Sequence, residues 1–171
     1  NLNLGGIKTK DGKIVLNNRL QTSNKNVFVN GDAADNLQFS HAAEMHNMLL
    51  INNFISPKKN ELDFDHFPWV TFTDPEVATF GLNEKSLKDK EIGYEKLEAD
   101  FSSIDRGITD DYEYGKVILY IEKTRISAGN AKILGGSMVA PNAGETTQAL
   151  ILANVAEMNM QNFMDKIYAC L

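Results

Sequence analysis

Apolar and polar positions change rhythm several times along the chain, and each change marks an element. Ile7-Lys8-Thr9 and Lys13-Ile14-Val15-Leu16 alternate on either side of Asp11-Gly12. That dipeptide favours a two-residue hairpin turn, so a small β-ribbon is expected. Asn26-Val27-Phe28-Val29 has the composition of a short buried strand and runs straight into Gly31 and Asp32. After the polar and aromatic stretch from Asn36 to Phe39, Ser40 is expected to open a helix and to cap it with its hydroxyl. Ala42, Ala43, Met45, Leu49, Leu50 and Phe54 supply its apolar body. Between Ser56 and Glu61 the apolar pattern fails and Pro, Lys and Asn take over, which places a module boundary near residue 60.

Beyond the boundary the pattern predicts a strand over Val70 to Thr73, a turn at Thr73-Asp74-Pro75-Glu76 and a short helix capped by Asn83. A strand with Leu97, Ala99 and Phe101 on one face follows, then a polar loop through Asp110-Asp111. Lys116–Glu122 and Ile133–Val139 read as two further strands. Asn142 follows Pro141 and precedes Glu145 by three residues, an asparagine version of the capping box. The helix it opens carries Thr147, Leu150, Ile151, Asn154, Val155 and Met158 at three- and four-residue steps, so one face is committed to packing. Strands followed by a covering helix indicate an α+β module.

Composition narrows the class. With 171 residues, 43% hydrophobic and 23% charged, the chain has material for one substantial core or two small ones and is not a disordered or fibrous sequence. A formal net charge of −6 with scattered Lys and Arg offers no basic stripe for a phosphate backbone, which argues against nucleic acid as a partner. No apolar run approaches the roughly 18 residues of a membrane span, and the first residues lack a basic and apolar leader, so a cytoplasmic location away from membranes is expected. The single cysteine, Cys170, has no neighbouring His or Lys to lower its pKa. No CxxC or CxxxxC pair is present, so no catalytic dithiol is expected within these residues.

Asp32, Asp35, His41, Glu44 and His46 lie close together in sequence and raise the question of a metal. His41 and His46 are five residues apart, roughly 140° around a helix, and do not share a ligand face. No metal site is expected. His41 and Glu44 suit a solvated pair at a three-residue step.

Longer runs carry more. Thr22, the segment Asn26 to Asp35 with Gly31-Asp32, and His41-Ala42-Ala43 opening a helix follow one another at a characteristic spacing. Pro68-Trp69-Val70-Thr71-Phe72-Thr73-Asp74-Pro75-Glu76-Val77-Ala78, Gly81-Leu82-Asn83-Glu84, Asp105-Arg106, Gly135-Gly136-Ser137-Met138-Val139 and Ala143-Gly144-Glu145 complete the order. Together they resemble the C-terminal portion of the pyridine nucleotide-disulfide oxidoreductases, the family of dihydrolipoamide dehydrogenase, mercuric reductase and glutathione reductase. The resemblance implies residues 1–60 as the C-terminal part of an FAD-binding domain and 61–171 as a dimerisation domain. The fold so implied is α+β: an antiparallel sheet with covering helices, preceded by a partial α/β flavin segment.

FAD contacts carry over onto Asp32, Ala33, Ala34, His41, Ala42 and Ala43. Asp32 would accept hydrogen bonds from ribityl hydroxyls, a charge-assisted interaction of roughly 1.5 to 3 kcal/mol. The positive end of the Ser40 helix would favour negative charge on the pyrimidine side of a reduced flavin. A homodimer, NAD(P)H as reductant and a small-molecule disulfide or other electron acceptor are implied for the whole protein. The family's glycine-rich GxGxxG and its CxxxxC pair are not in these residues. Nor does His41, His46 or His66 correspond to the acid-base histidine that many members carry beyond the Lys166-Ile167-Tyr168 region. The chain is therefore expected to be a C-terminal fragment, truncated at both ends, forming one wall of the FAD site without binding FAD tightly itself. A non-catalytic dimerisation module and a single-cysteine NADH oxidase or coenzyme A-disulfide reductase type of flavoprotein remain alternatives.

Overall fold

A computed structural model describes residues 1–112, 114–125 and 127–165, and the chain gathers into two units, Asn1–Asp63 and Phe64–Leu171. Cys170 and the Lys166–Tyr168 run lie outside the described residues, as does the side chain of Arg106.

In the first unit, Asp11 and Gly12 both take positive φ, 52° and 80°. This is the backbone a two-residue hairpin needs, and it joins β1 (Thr9–Lys10) to β2 (Lys13–Ile14) with Thr9 opposite Ile14. The expected strand over Asn26 to Val29 does not form. A single antiparallel bridge, Gln21 with Phe28, is flanked by hydrogen bonds from Thr22 N–H to Val27 O and from Val29 N–H to Leu20 O. The segment alongside, Leu20 to Thr22, is too short to extend the ladder beyond that bridge. Leu20 and Val29 are nonetheless buried.

α1 (Ser40–Ile55) is the long element of this unit, but Ser40 does not cap it. Phe39 has the extended backbone of the N-cap, so Ser40 is already the first helical residue and its hydroxyl comes one position too late. The Phe39 carbonyl accepts from Ala42 and Ala43 N–H instead. Ala42, His46 and Asn53 are buried, whereas Met48, Ile51, Phe54 and Ile55 are exposed.

Among the described residues of the second unit, β3 (Trp69–Thr71), β4 (Glu76–Gly81), β5 (Tyr94–Asp100), β6 (Lys116–Glu122) and β7 (Ile133–Ala140) form one antiparallel sheet in the order β3-β4-β7-β6-β5. β4 has no counterpart in the sequence expectation. Its Ala78 and Phe80 are buried while Val77 and Thr79 are only partly so. The expected turn joins β3 to β4, with a cis Asp74-Pro75 peptide. β5 stops at Asp100 rather than carrying Phe101, which starts a 3-10 turn; at this edge strand Leu97 and Ala99 stay exposed. The short helix α3 (Asp105–Thr109) precedes the Asp110-Asp111 loop.

Caps decide the remaining helices. α2 (Glu84–Asp89) is capped as expected, Asn83 Oδ1 accepting from Ser86 N–H at 2.8 Å. The expected capping box at Asn142 is absent, because Asn142 takes a left-handed conformation with φ 53° and its side chain makes no cap bond. Glu76 of β4 supplies the acceptor, its Oε2 lying 3.0 Å from Gly144 N. The expected single helix is divided into α4 (Ala143–Thr146) and α5 (Gln148–Val155) at buried Thr147, whose hydroxyl donates back to the Ala143 carbonyl at 2.7 Å. α6 (Met160–Met164) follows.

The core of this unit joins Ala78 and Phe80 of β4, Ile133, Met138 and Ala140 of β7, and Ala143, Leu150 and Ala153 from α4 and α5. Gly136 makes room for it: a Cβ there would stand 2.6 Å from the Ile118 carbonyl and 3.1 Å from the Phe80 ring. Among the described residues, no helix is long and apolar enough to cross a membrane.

Candidate functional site

The segment after Val29 makes a 3-10 turn over Gly31–Ala34, entered at Gly31 with φ 63° and closed by Asp35 in a left-handed conformation. Asp35 N–H returns to the Asp32 carbonyl at 3.0 Å, and the Asp35 carboxylate pairs with Lys13 at 2.6 Å. Asp32 is exposed and its carboxylate takes no hydrogen bond or ion pair from the described residues. Ala33 is exposed and Ala34 half-buried.

α1 backs this turn. A Cβ on Gly31 would touch the Ala43 methyl at 3.4 Å, so the turn and the first residues of the helix are in close contact. Two hydrogen bonds from consecutive residues tie the turn to the helix: Asn30 Nδ2 to Asn47 Oδ1 at 2.6 Å, and Gly31 N–H to His46 Nδ1 at 3.1 Å. His46 is 0% exposed, and burial holds its pKa below the ordinary histidine value of 6.5.

The six residues singled out in sequence thus fall into distinct roles. Asp32, Ala33 and Ala34 form the turn, and Ala43 packs against it. Ala42 is 0% exposed, backbone as well as methyl, and its N–H donates to the Phe39 carbonyl at 3.0 Å. His41 is exposed, with its ring centroid 5.4 Å from that of Phe39. His46 is the residue the sequence did not assign here. An exposed carboxylate beside the amino end of a 16-residue helix suits a ligand that presents hydroxyl donors. No group of three or more His, Cys, Asp or Glu side chains among the described residues is placed to hold a metal ion.

The second unit carries a polar and an apolar hollow: one of about 340 Å³ is lined by Asp65, His66, Glu122, Lys132, Asn154 and Glu157 among others, with His66 Nδ1 2.9 Å from Asn154 Oδ1. The other, of about 590 Å³, is lined by Phe101, Ile104, Val117, Leu119, Met138 and Leu150, among others. On α5, Leu150, Ala153 and Asn154 face inward while Ala149, Leu152 and Val155 form an exposed stripe. Val155, expected on the packed face, is 55% exposed. A helix apolar on both sides has a second face to cover.

Residues 67–170 match the family model described as pyridine nucleotide-disulphide oxidoreductase, dimerisation domain. The chain belongs to this family. The pyridine nucleotide-disulphide oxidoreductases are flavoprotein disulfide reductases, and the matched region is their dimerisation domain. A mercuric reductase of Staphylococcus aureus is 30% identical over 166 residues, covering 96% of this chain and 29% of that protein. Mitochondrial dihydrolipoyl dehydrogenase 2 of Arabidopsis thaliana is 32% identical over 149 residues, covering 86% and 28%. The chain therefore spans under a third of the length of these relatives. Among solved structures, LpdA from Mycobacterium tuberculosis superposes with a TM-score of 0.81 at 16% identity, over 96% of this chain and 35% of LpdA. The HOCl-induced flavoprotein disulfide reductase RclA from Escherichia coli gives 0.79 at 18%, over 96% and 37%. At such identities the last two speak for the fold, an antiparallel sheet with covering helices in an α+β arrangement.

Proposed function

We propose that these residues serve within a longer FAD-dependent, NAD(P)H-linked disulfide oxidoreductase of the dihydrolipoamide dehydrogenase type. Residues 1–60 complete its flavin-binding domain and 61–171 form its homodimer interface. The observation that carries this reading is the exposed, unpaired Asp32 carboxylate on a turn packed against the start of α1. Asp32 accepts ribityl hydroxyls, and the backbone at Ala33, Ala34, His41 and Ala43 lines the same wall, with the enclosed Ala42 packed behind it. FAD, when bound, supplies the group that carries electrons between nicotinamide and acceptor. The exposed apolar residues Met48, Ile51 and Ile55 on α1 fit a helix that covers further structure of such a domain.

In the full-length flavoprotein that carries this sequence, Asp32→Ala is expected to weaken FAD binding by roughly tenfold to a hundredfold, the equivalent of one charge-assisted hydrogen bond. Unchanged FAD affinity, measured by equilibrium dialysis of the reconstituted apoprotein, overturns the reading. The 171-residue chain holds one wall of the pocket and is expected to purify without stoichiometric flavin. A yellow preparation with one FAD per chain would contradict the assignment of only a partial site.

A further inference from the structure

The mechanism proposed above gives no part to His46, yet this imidazole is the most completely enclosed titratable group of the first unit, at 0% exposure. Its Nδ1 lies 3.1 Å from the Gly31 amide nitrogen. A backbone N–H can only donate, so Nδ1 is the acceptor and carries no proton. An imidazolium would turn a donor toward a donor and lose the bond. In the neutral ring the proton then sits on Nε2, which is buried and has no hydrogen-bond partner among the described residues. An aliphatic side chain would fill the same space without burying an unpaired donor, but it would leave the Gly31 N–H unbonded.

The bond falls at a sensitive place. Gly31 has φ 63°, a conformation the chain adopts at this point to swing Asp32 outward, and the preceding residue is tied to the same turn of α1 by Asn30–Asn47. We propose that His46 is a positioning residue: a neutral imidazole protonated on Nε2, whose Nδ1 latches the Gly31 amide and so fixes the turn that presents Asp32. The functional consequence rests on the flavin reading of Asp32; the latch itself does not.

The test uses the 171-residue chain. Long-range ¹H–¹⁵N correlation of the ¹⁵N-labelled protein at neutral pH should show His46 Nδ1 unprotonated and Nε2 protonated. An imidazolium pattern, or a proton on Nδ1, overturns the proposal. Amide hydrogen exchange at Gly31 should become about tenfold faster or more in His46→Leu, which removes the acceptor. His46→Asn places an oxygen near the position of Nδ1 and should restore protection, whereas His46→Gln, whose oxygen reaches toward the Nε2 position, should not. Equal exchange in the Asn and Gln variants overturns the latch even if the Leu variant fails to fold. In the full-length flavoprotein, FAD affinity should fall in His46→Gln and recover in His46→Asn. An Asp32→Ala protein with unchanged FAD affinity removes the flavin reading and leaves the tautomer and exchange results to decide the latch. An imidazolium at His46 removes the latch and leaves the Asp32 result to decide the flavin site.

Discussion

Gly31 and His46 show what single residues contribute beyond contact with a ligand. At φ 63° any Cβ is strained, although at Gly31 it would only touch the Ala43 methyl, at 3.4 Å. Gly31→Ala is therefore expected to lower the unfolding free energy of the chain by about 1 to 2 kcal/mol, read from urea denaturation. His46 adds a pH dependence of defined sign. Burial lowers its pKa from the ordinary value of 6.5, so below that value the unfolded chain binds the proton more readily than the folded one. The stabilisation is complete above 6.5 and is lost as pH falls through the lowered folded pKa. The urea midpoint should drop as pH falls below the ordinary value of 6.5, and His46→Asn should flatten that part of the profile. A profile with the same slope in both proteins would assign it to other groups. The pattern puts Asp32 after a glycine at the end of a strand, whereas the structure carries it on a 3-10 turn, and no pattern pointed to His46. Ala42 and His46, four residues apart, mark the inward face of α1; the bond to Gly31 spans 15 residues and no local pattern carries it.

At the scale of elements, what the sequence made legible was local chemistry, and what it hid was supplied from elsewhere in the chain. Asp11-Gly12 and Asn83 act within a few residues of themselves, and the ribbon and the α2 cap follow directly. Asn142 has the right spacing for a cap but the wrong backbone conformation, and its task passes to Glu76, 68 residues from Gly144. Glu76→Ala should therefore cost about 0.5 to 2 kcal/mol, the range of a lost helix cap, with a smaller loss in Glu76→Gln, which keeps a neutral acceptor. Thermal unfolding of the two variants checks the order; equal losses would show that charge at this position contributes nothing. β4 escaped because its six residues lie between a turn and a helix, although Ala78 and Phe80 alternate with Val77 and Thr79 as a half-covered strand should. Asn26–Val29 erred in the opposite direction: its composition suits a strand, but a strand needs a neighbour longer than Leu20 to Thr22.

For the whole molecule, the α+β architecture was legible because several spaced runs point to one family, whereas the exposed apolar face proposed for self-association was not. The reason lies in α5, where Gln148-Ala149-Leu150-Ile151-Leu152-Ala153-Asn154-Val155 is apolar nearly all round, so periodicity can assign only one face and places Val155 on it. In the structure Leu150, Ala153 and Asn154 hold the core, and Leu152 and Val155 are 66% and 55% exposed. That division makes self-association testable without disturbing the fold. The chain should sediment as a dimer at roughly 10 μM, and Leu152→Glu with Val155→Glu should raise the dissociation constant about a hundredfold or more, since charges buried in an interface are strongly unfavourable. Circular dichroism should be unchanged, because neither side chain belongs to the core. A double variant that remains dimeric at the wild-type concentration would move the interface off α5. A wild-type chain that stays monomeric would remove homodimerisation from the proposed function of these residues.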